Sequence, residues 1–359
     1  MRRVSSVLLA LALAGGLATA GEAPAKAAPP AKAEPAEAKP PGDQAARIAT
    51  LCKQLGEGEY GSKGACEQLI QIGAPAVPSL IEALKDRRPP ARWWAVAALC
   101  SLAPEEGYPA VQKVIESDPD AFVRSTAVYY LRHYKSKAKK DIWPDVEKAL
   151  ADKDPEVARW ALRLMAEDGY PDLDKKLREV LASGSSALRS YALNHVREMG
   201  DKGKAYMPLV RQLLAAEDAR VRYDAVFTIV TLMDAGQLDF LRETFQKDKD
   251  PGVKECALRC ITVIPTPPVE AFELFVMGLQ SEDEKVREAA SKLLCKAFKQ
   301  YFGFDAKQPL PVREAAIKKW REWFASNKAK LQWHPELRKF IVPGATPEPK
   351  AKGEGDTKE

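Results

Sequence analysis

An all-α fold is what this sequence predicts: a right-handed solenoid, or superhelix, of about seven stacked helical hairpins with capping helices at both ends. Three observations predict it. An alanine recurs every 31 to 34 residues within a helical apolar stripe, an Asp or Ser stands seven residues before most of these alanines, and an apolar helix precedes each one, with an early Pro in five of the seven. Fixed periods of this length mark repeat architectures, in which no unit buries its apolar face alone and stacking completes the core.

The first twenty residues stand apart. Arg2 and Arg3 precede an apolar run from Val4 to Leu17, and Ala18-Thr19-Ala20 supplies the small residues of a cleavage site. This is the pattern of a signal peptide, residues 1–20, and it predicts export to the periplasm or beyond. The apolar run is too short to span a bilayer, so no membrane span is expected in the mature chain. Removing Arg2 and Arg3 takes the basic count from 55 to 53 against 50 acidic side chains, a net of +3. That balance gives no reason to expect nucleic acid as a partner. Residues 21–43 come next, with Ala and Pro supplying 14 of 23 positions, a composition that forms an extended, disordered linker. The tail, 342–359, has the same character, which leaves 44–341 as the folded solenoid.

Within it, 47–73 reads as an irregular N-terminal hairpin. The regular repeats are then counted from Arg92, Arg124, Ala158, Arg189, Arg222, Lys254 and Arg287, called position zero. Three residues on stand Ala95, Ala127, Ala161, Ala192, Ala225, Ala257 and Ala290, where a small side chain lets another helix approach. Positions −1, +3, +6, +7 and +10 make one apolar stripe on a 3.6-residue helix. Four residues before position zero, Asp120, Asp154, Ser185, Asp218, Asp250 and Asp283 are N-caps, and Pro89, Pro155 and Pro251 fit the first helical position. The preceding helices carry Pro78, Pro109, Pro144, Pro171 and Pro208 near their starts. Residues 312–331 form a last capping helix with Trp320, Trp323 and Phe324 on one side. No stretch alternates long enough to predict a sheet.

On these features the sequence resembles the HEAT-repeat (armadillo-like) family over about residues 75–300. The hairpin period, the early Pro of the first helix, and the Asp, Val and Arg or Lys opening the second carry the likeness, as in "DPDAFVRSTAVYYL" and "DPGVKECALRCI". The resemblance implies a ladder of polar contacts between the Asp and Arg positions of adjacent repeats. It implies breaks where Ala158 replaces the base and where Arg88 and Ser185 replace the acid. It also implies that the second helices line the concave surface.

Little in the chain suggests catalysis. His133, His195 and His334 lie at no metal-ligand spacing from one another or from a Cys, and neither a nucleophile elbow nor a phosphate-binding glycine loop occurs. His195 falls on the buried stripe. The expectation is therefore a non-enzyme with no cofactor, no metal and no small-molecule substrate. Six cysteines in an exported chain permit disulfides, with Cys52 and Cys66 able to meet across the N-terminal hairpin and Cys256 and Cys260 read as packing residues.

Positions +1, +5 and +8 point away from the apolar stripe. In the first five repeats they supply aromatics and arginines without an acid, and Trp93, Tyr129, Arg132, Arg159, Arg163, Arg197, Tyr223 and Phe227 form the candidate binding set. Such residue types dominate binding hot spots. The adjacent Trp94, at +2, reads as packing. The function these features suggest is a protein-binding scaffold outside the cytoplasm, taking a peptide or protein partner on the concave face. Two alternatives stand beside it: a HEAT-like lyase or enzyme-accessory protein, resembling the bilin-chromophore lyases and using a groove Cys or His, and a structural envelope organiser.

Overall fold

A computed structural model describes residues 41–342. The signal peptide, most of the linker and almost all of the tail lie outside the described residues. The chain divides into two compact units, Met1–Ala46 and Arg47–Glu359. Of the first, only 41–46 are described, as the opening of helix α1 (Pro41–Gln54), whose first three residues fall within the stretch read as linker. The repeats all belong to the second unit.

Helix α2 (Glu59–Ile72) leads into seven hairpins: α3 (Val77–Ala83) with α4 (Pro89–Leu102), α5 (Tyr108–Ser117) with α6 (Ala121–Lys137), α7 (Trp143–Leu150) with α8 (Pro155–Asp168), and α9 (Leu173–Ser183) with α10 (Ser186–Glu198). Then come α11 (Met207–Gln212) with α12 (Ala219–Leu232), α13 (Gln237–Lys247) with α14 (Pro251–Cys260), and α15 (Ala271–Leu279) with α16 (Glu284–Phe298). Each first helix packs on its own second helix, and successive second helices stack in chain order from α2 and α4 to α16. This is the all-α solenoid that the repeat predicts.

Local chemistry explains the boundaries. Asp120 starts α6 by accepting from the amides of Phe122 and Val123 at 2.9 and 3.1 Å, and Asp154, Ser185, Asp218, Asp250 and Asp283 cap their helices in the same way. Prolines occupy the first turns of α3, α4, α5, α7, α8, α11 and α14, where a missing N–H leaves no bond unmade. Pro171 differs, lying in a turn two residues before α9. All seven alanines at +3 are fully buried. The closeness they allow is plain at Gly278 of α15, where an added Cβ would lie 2.6 Å from the Cβ of Ala290.

The ladder exists, but its acid is not the N-cap. Arg92 Nε and Nη2 donate to Asp118 at 2.7 and 2.8 Å, Arg124 donates both ways to Asp152 at 2.8 Å, and Arg222 reaches Asp248 at 2.8 and 3.0 Å. Each of these carboxylates lies two residues before a cap, in Asp-X-Asp. Its other role is to accept from the cap residue's amide, at 2.9 Å for Asp120, 2.8 Å for Asp154 and 2.9 Å for Asp250. The division of labour has a geometric origin, since the cap carboxylate is already committed to its own helix. The last arginine, Arg287, donates to the Ala306 carbonyl.

The C-terminal cap is α17 (Leu310–Asn327), with Phe324 stacked on Phe272 at 3.9 Å and Trp320 buried. A short antiparallel pair, β1 (Gln332–His334) and β2 (Lys339–Ile341), is absent from the sequence-based expectation. It closes the core by stacking Phe340 on Phe298 at 4.8 Å.

Candidate partner-binding face

All eight candidate residues lie on second helices, and all eight are half-buried. Trp93 stacks on the buried Trp94 with ring centroids 4.1 Å apart and meets the edge of Phe122 on the next second helix at 5.7 Å. Tyr129 meets Trp160 edge-on at 5.2 Å, and the Arg132 guanidinium lies 4.7 Å over the Tyr129 ring. Arg159 and Arg163 cover Trp160 at 5.3 and 4.8 Å. Arg197 lies 4.6 Å from Phe227, and Arg220 covers Tyr223 at 5.3 Å. The eight thus belong to clusters of ring and guanidinium contacts, three of which cross between second helices: Trp93 with Phe122, Tyr129 with Trp160, and Arg197 with Phe227. Such contacts contribute roughly 0.5 to 1 kcal/mol each where water reaches them.

The structure corrects the sequence reading in three places. Ala97 and Cys100 at +5 and +8 of α4, Ser125 at +1 of α6 and Val230 at +8 of α12 are buried, because the neighbouring second helix covers that side. His195 is half-buried rather than part of the core. The Cys52–Cys66 bond is not formed: both are free thiols, and the Cys66 sulfur is directed at the Trp94 carbonyl, 3.8 Å away.

The arginines are also not free of acids. Arg132 pairs with Glu167 at 2.8 Å and Asp168 at 3.1 Å, Arg163 pairs with Glu167 at 2.5 Å, and Arg159 pairs with Glu156 at 2.5 Å. Burial alone would raise the Glu167 carboxyl, but the hydrogen bonds from Arg132 and Arg163 outweigh it and hold the group below its ordinary range. Trp160 and these acids fall outside the candidate set, yet Glu156 with Arg159 and Arg163 with Glu167 stand at the i,i+3 and i,i+4 spacings of helix ion pairs.

Groups that would support covalent chemistry are poorly placed for it. Burial pushes the Cys100 thiol well above its normal range, and Cys66 is raised to about 12 by burial and the neighbouring Glu67. The reactive species is the thiolate, so these sulfurs are inert at neutral pH. Among the described residues no group of His, Cys, Asp and Glu could hold a metal ion, and no helix is long and apolar enough to cross a membrane.

A family model for HEAT repeats matches residues 48–132 and 175–262. The matched segments are HEAT repeats, set in an all-α solenoid of stacked helical hairpins. Among solved structures it is similar to YibA of Escherichia coli, at 15% identity over 73% of this chain and 99% of that one, with a TM-score of 0.43. It is also similar to human deoxyhypusine hydroxylase in complex with glycerol, at 16% identity over 70% of this chain and 97% of that one, with a TM-score of 0.29. A third likeness is to the complex of CpcE and CpcF of phycocyanin lyase from Nostoc sp. PCC7120, at 19% identity over 84% of this chain and 100% of that one, with a TM-score of 0.25. No curated protein matches the sequence. Resemblances this distant transfer no activity to the chain.

Proposed function

We propose that this chain is a non-enzymatic scaffold outside the cytoplasm that holds a protein or peptide partner against its second-helix face. The supporting observation is the half-buried band of Trp93, Tyr129, Arg132, Arg159, Arg163, Arg197, Tyr223 and Phe227, which spans five repeats. Repeats of this kind offer broad surfaces for recognition. Rings and guanidinium planes that a fold leaves half-covered supply large contact area at small ordering cost. Because Glu156, Glu167 and Asp168 already neutralise three of the arginines, the partner favoured is an extended peptide with apolar or aromatic side chains rather than an acidic one. The location rests on Arg2-Arg3, the apolar run and Ala18-Thr19-Ala20.

The test is a pull-down from an envelope extract with the mature chain and with a Trp93→Ala, Tyr223→Ala, Phe227→Ala variant of matched helical content. The expected result is loss of at least one partner from the variant. Equal recovery of every partner would reject the face and leave the structural-organiser reading in its place.

A further inference from the structure

Interfaces between repeats leave clefts at the edge where first helices end and second helices begin. Five of them have volumes of about 290 to 600 Å3. As by-products of stacking they should resemble one another, and four are lined by charges of near balance. The cleft between repeats 5 and 6, of about 570 Å3, departs from the series in two ways, its missing acid and its excess of cations.

Its wall carries Ala216 at the place where Asp86 lines the equivalent cleft between repeats 1 and 2. Its floor is apolar, as Ile81, Leu84 and Val114 make that of the cleft between repeats 1 and 2, and consists of Leu214, Val226 and Phe240, with Leu214 and the Phe240 ring only half-buried. Its rim has two cations in excess. Asp248 is committed to Arg222 at 2.8 Å and Glu243 to Lys247 at 2.5 Å, which leaves Arg211 and Lys249 exposed and without a carboxylate partner among the described residues. The opening has a local cause: α11 is only six residues long and tightens into a 3-10 turn at Leu213–Ala215, which shortens the wall.

We propose that this cleft binds a free amphipathic carboxylate, a medium-sized carboxylic acid whose apolar body lies on Phe240, Leu214 and Val226 while its anion is held between Arg211 and Lys249. The volume lies within the range of small-molecule sites, and an apolar floor with a few convergent charges is the usual composition of one. The site lies on repeats 5 and 6 at the edge of the solenoid and does not depend on the second-helix face.

The experiment is displacement of 8-anilinonaphthalene-1-sulfonate fluorescence from the full chain by octanoate, octylamine and 1-octanol, repeated with Arg211→Gln/Lys249→Gln. Both substituted positions are exposed and unpaired, so the fold should survive, and circular dichroism checks that it does. Octanoate should displace the probe at lower concentration than either of the others, and the double variant should weaken it about tenfold, as loss of a charge-assisted contact predicts. Equal displacement by octanoate and octylamine, or unchanged octanoate displacement in the double variant, would overturn the proposal.

Discussion

Repeats 1 to 3 and the middle of the solenoid are built from the same hairpin and held together differently. In the first region Arg92–Asp118 and Arg124–Asp152 bind each repeat to the next through two-pronged ion pairs, nearly sealed from water. In the middle the register sets Ala158 against Ser183 and Arg189 against Ala216, and no rung forms. Arg189 turns back to the Ala182 carbonyl of its own repeat at 2.6 Å, leaving its Nε buried and without a partner. The interface of α8 with α10 is also the thinnest between second helices. Apolar burial at the alanine positions is therefore enough to stack repeats. The rungs are a separate device that fixes register, used where two short motifs coincide. In a solenoid, stability is close to a sum over neighbouring interfaces, so the two regions can be perturbed independently.

The largest effect that separates them comes from cutting a rung. Arg124→Ala leaves the Asp152 carboxylate mostly buried and removes a bond to the Asp118 carbonyl. It should cost about 3 to 5 kcal/mol, the range for breaking a buried pair by removing one partner. Arg189→Ala, with no acid to strand, should cost under about 1 kcal/mol. Urea unfolding of the two variants measures both, and equal losses would mean that the rungs are not what distinguishes the regions.

Acid should act on the same rungs. Burial alone would raise Asp152 and Asp248, but hydrogen bonds from Arg124 and Arg222 outweigh it and hold both below the usual carboxylate range. A depressed folded value means that these pairs stabilise the protein fully above the unfolded value of about 4 and lose that contribution as pH falls through the folded value. Unfolding free energy measured from pH 7 to pH 3 should therefore drop at the acid end. An Arg124→Met, Asp152→Leu variant should show a shallower drop, and parallel curves for the two proteins would count against this origin.

Why the fold is readable in the sequence and the ladder only partly so has a physical answer. Alanines at a spacing of 31 to 34 residues and Asp N-caps are single-position signals, and each depends on its own helix alone. The rung carboxylate depends on two repeats at once, and its signature, the first Asp of Asp118-Pro119-Asp120, Asp152-Lys153-Asp154 and Asp248-Lys249-Asp250, sits beside a stronger signal that uses the same residue type. The candidate face is legible as a set of residue types at +1, +5 and +8. Its degree of cover is not, because Phe122 and Trp160 reach it from neighbouring second helices. The pair β1–β2 has three residues in each strand, too few to display a period of two.

A smaller effect in the opposite direction should come from supplying the missing rung. Ala216→Asp would complete an Asp-X-Asp pattern with Glu217 and Asp218, in the register of the working rungs, and place a carboxylate opposite Arg189. The expected gain is roughly 1 kcal/mol, since the new pair would be only partly buried. A double-mutant cycle with Arg189→Ala decides the mechanism: the gain should vanish when Arg189 is absent. A gain that persists would come from turn chemistry at Glu217 and Asp218 and not from a rung.

The smallest change in stability carries the sharpest contrast. Arg163 covers Trp160 and pairs with Glu167 across one helical turn, with both side chains more than a third exposed. Pairs of this kind contribute about 0.3 to 0.5 kcal/mol, so Arg163→Ala should leave the urea midpoint almost unmoved. If the second-helix face holds a partner, the same substitution should lower partner recovery, whereas Arg189→Gln, which alters an unrunged joint outside the candidate set, should not. A variant pair in which Arg124→Ala shifts stability and Arg163→Ala shifts recovery would separate what holds this solenoid together from what it presents. Were Arg163→Ala silent in recovery while Trp93→Ala was not, the contact surface would contract to the aromatic rings, and the guanidinium planes would be assigned to covering Trp160 alone.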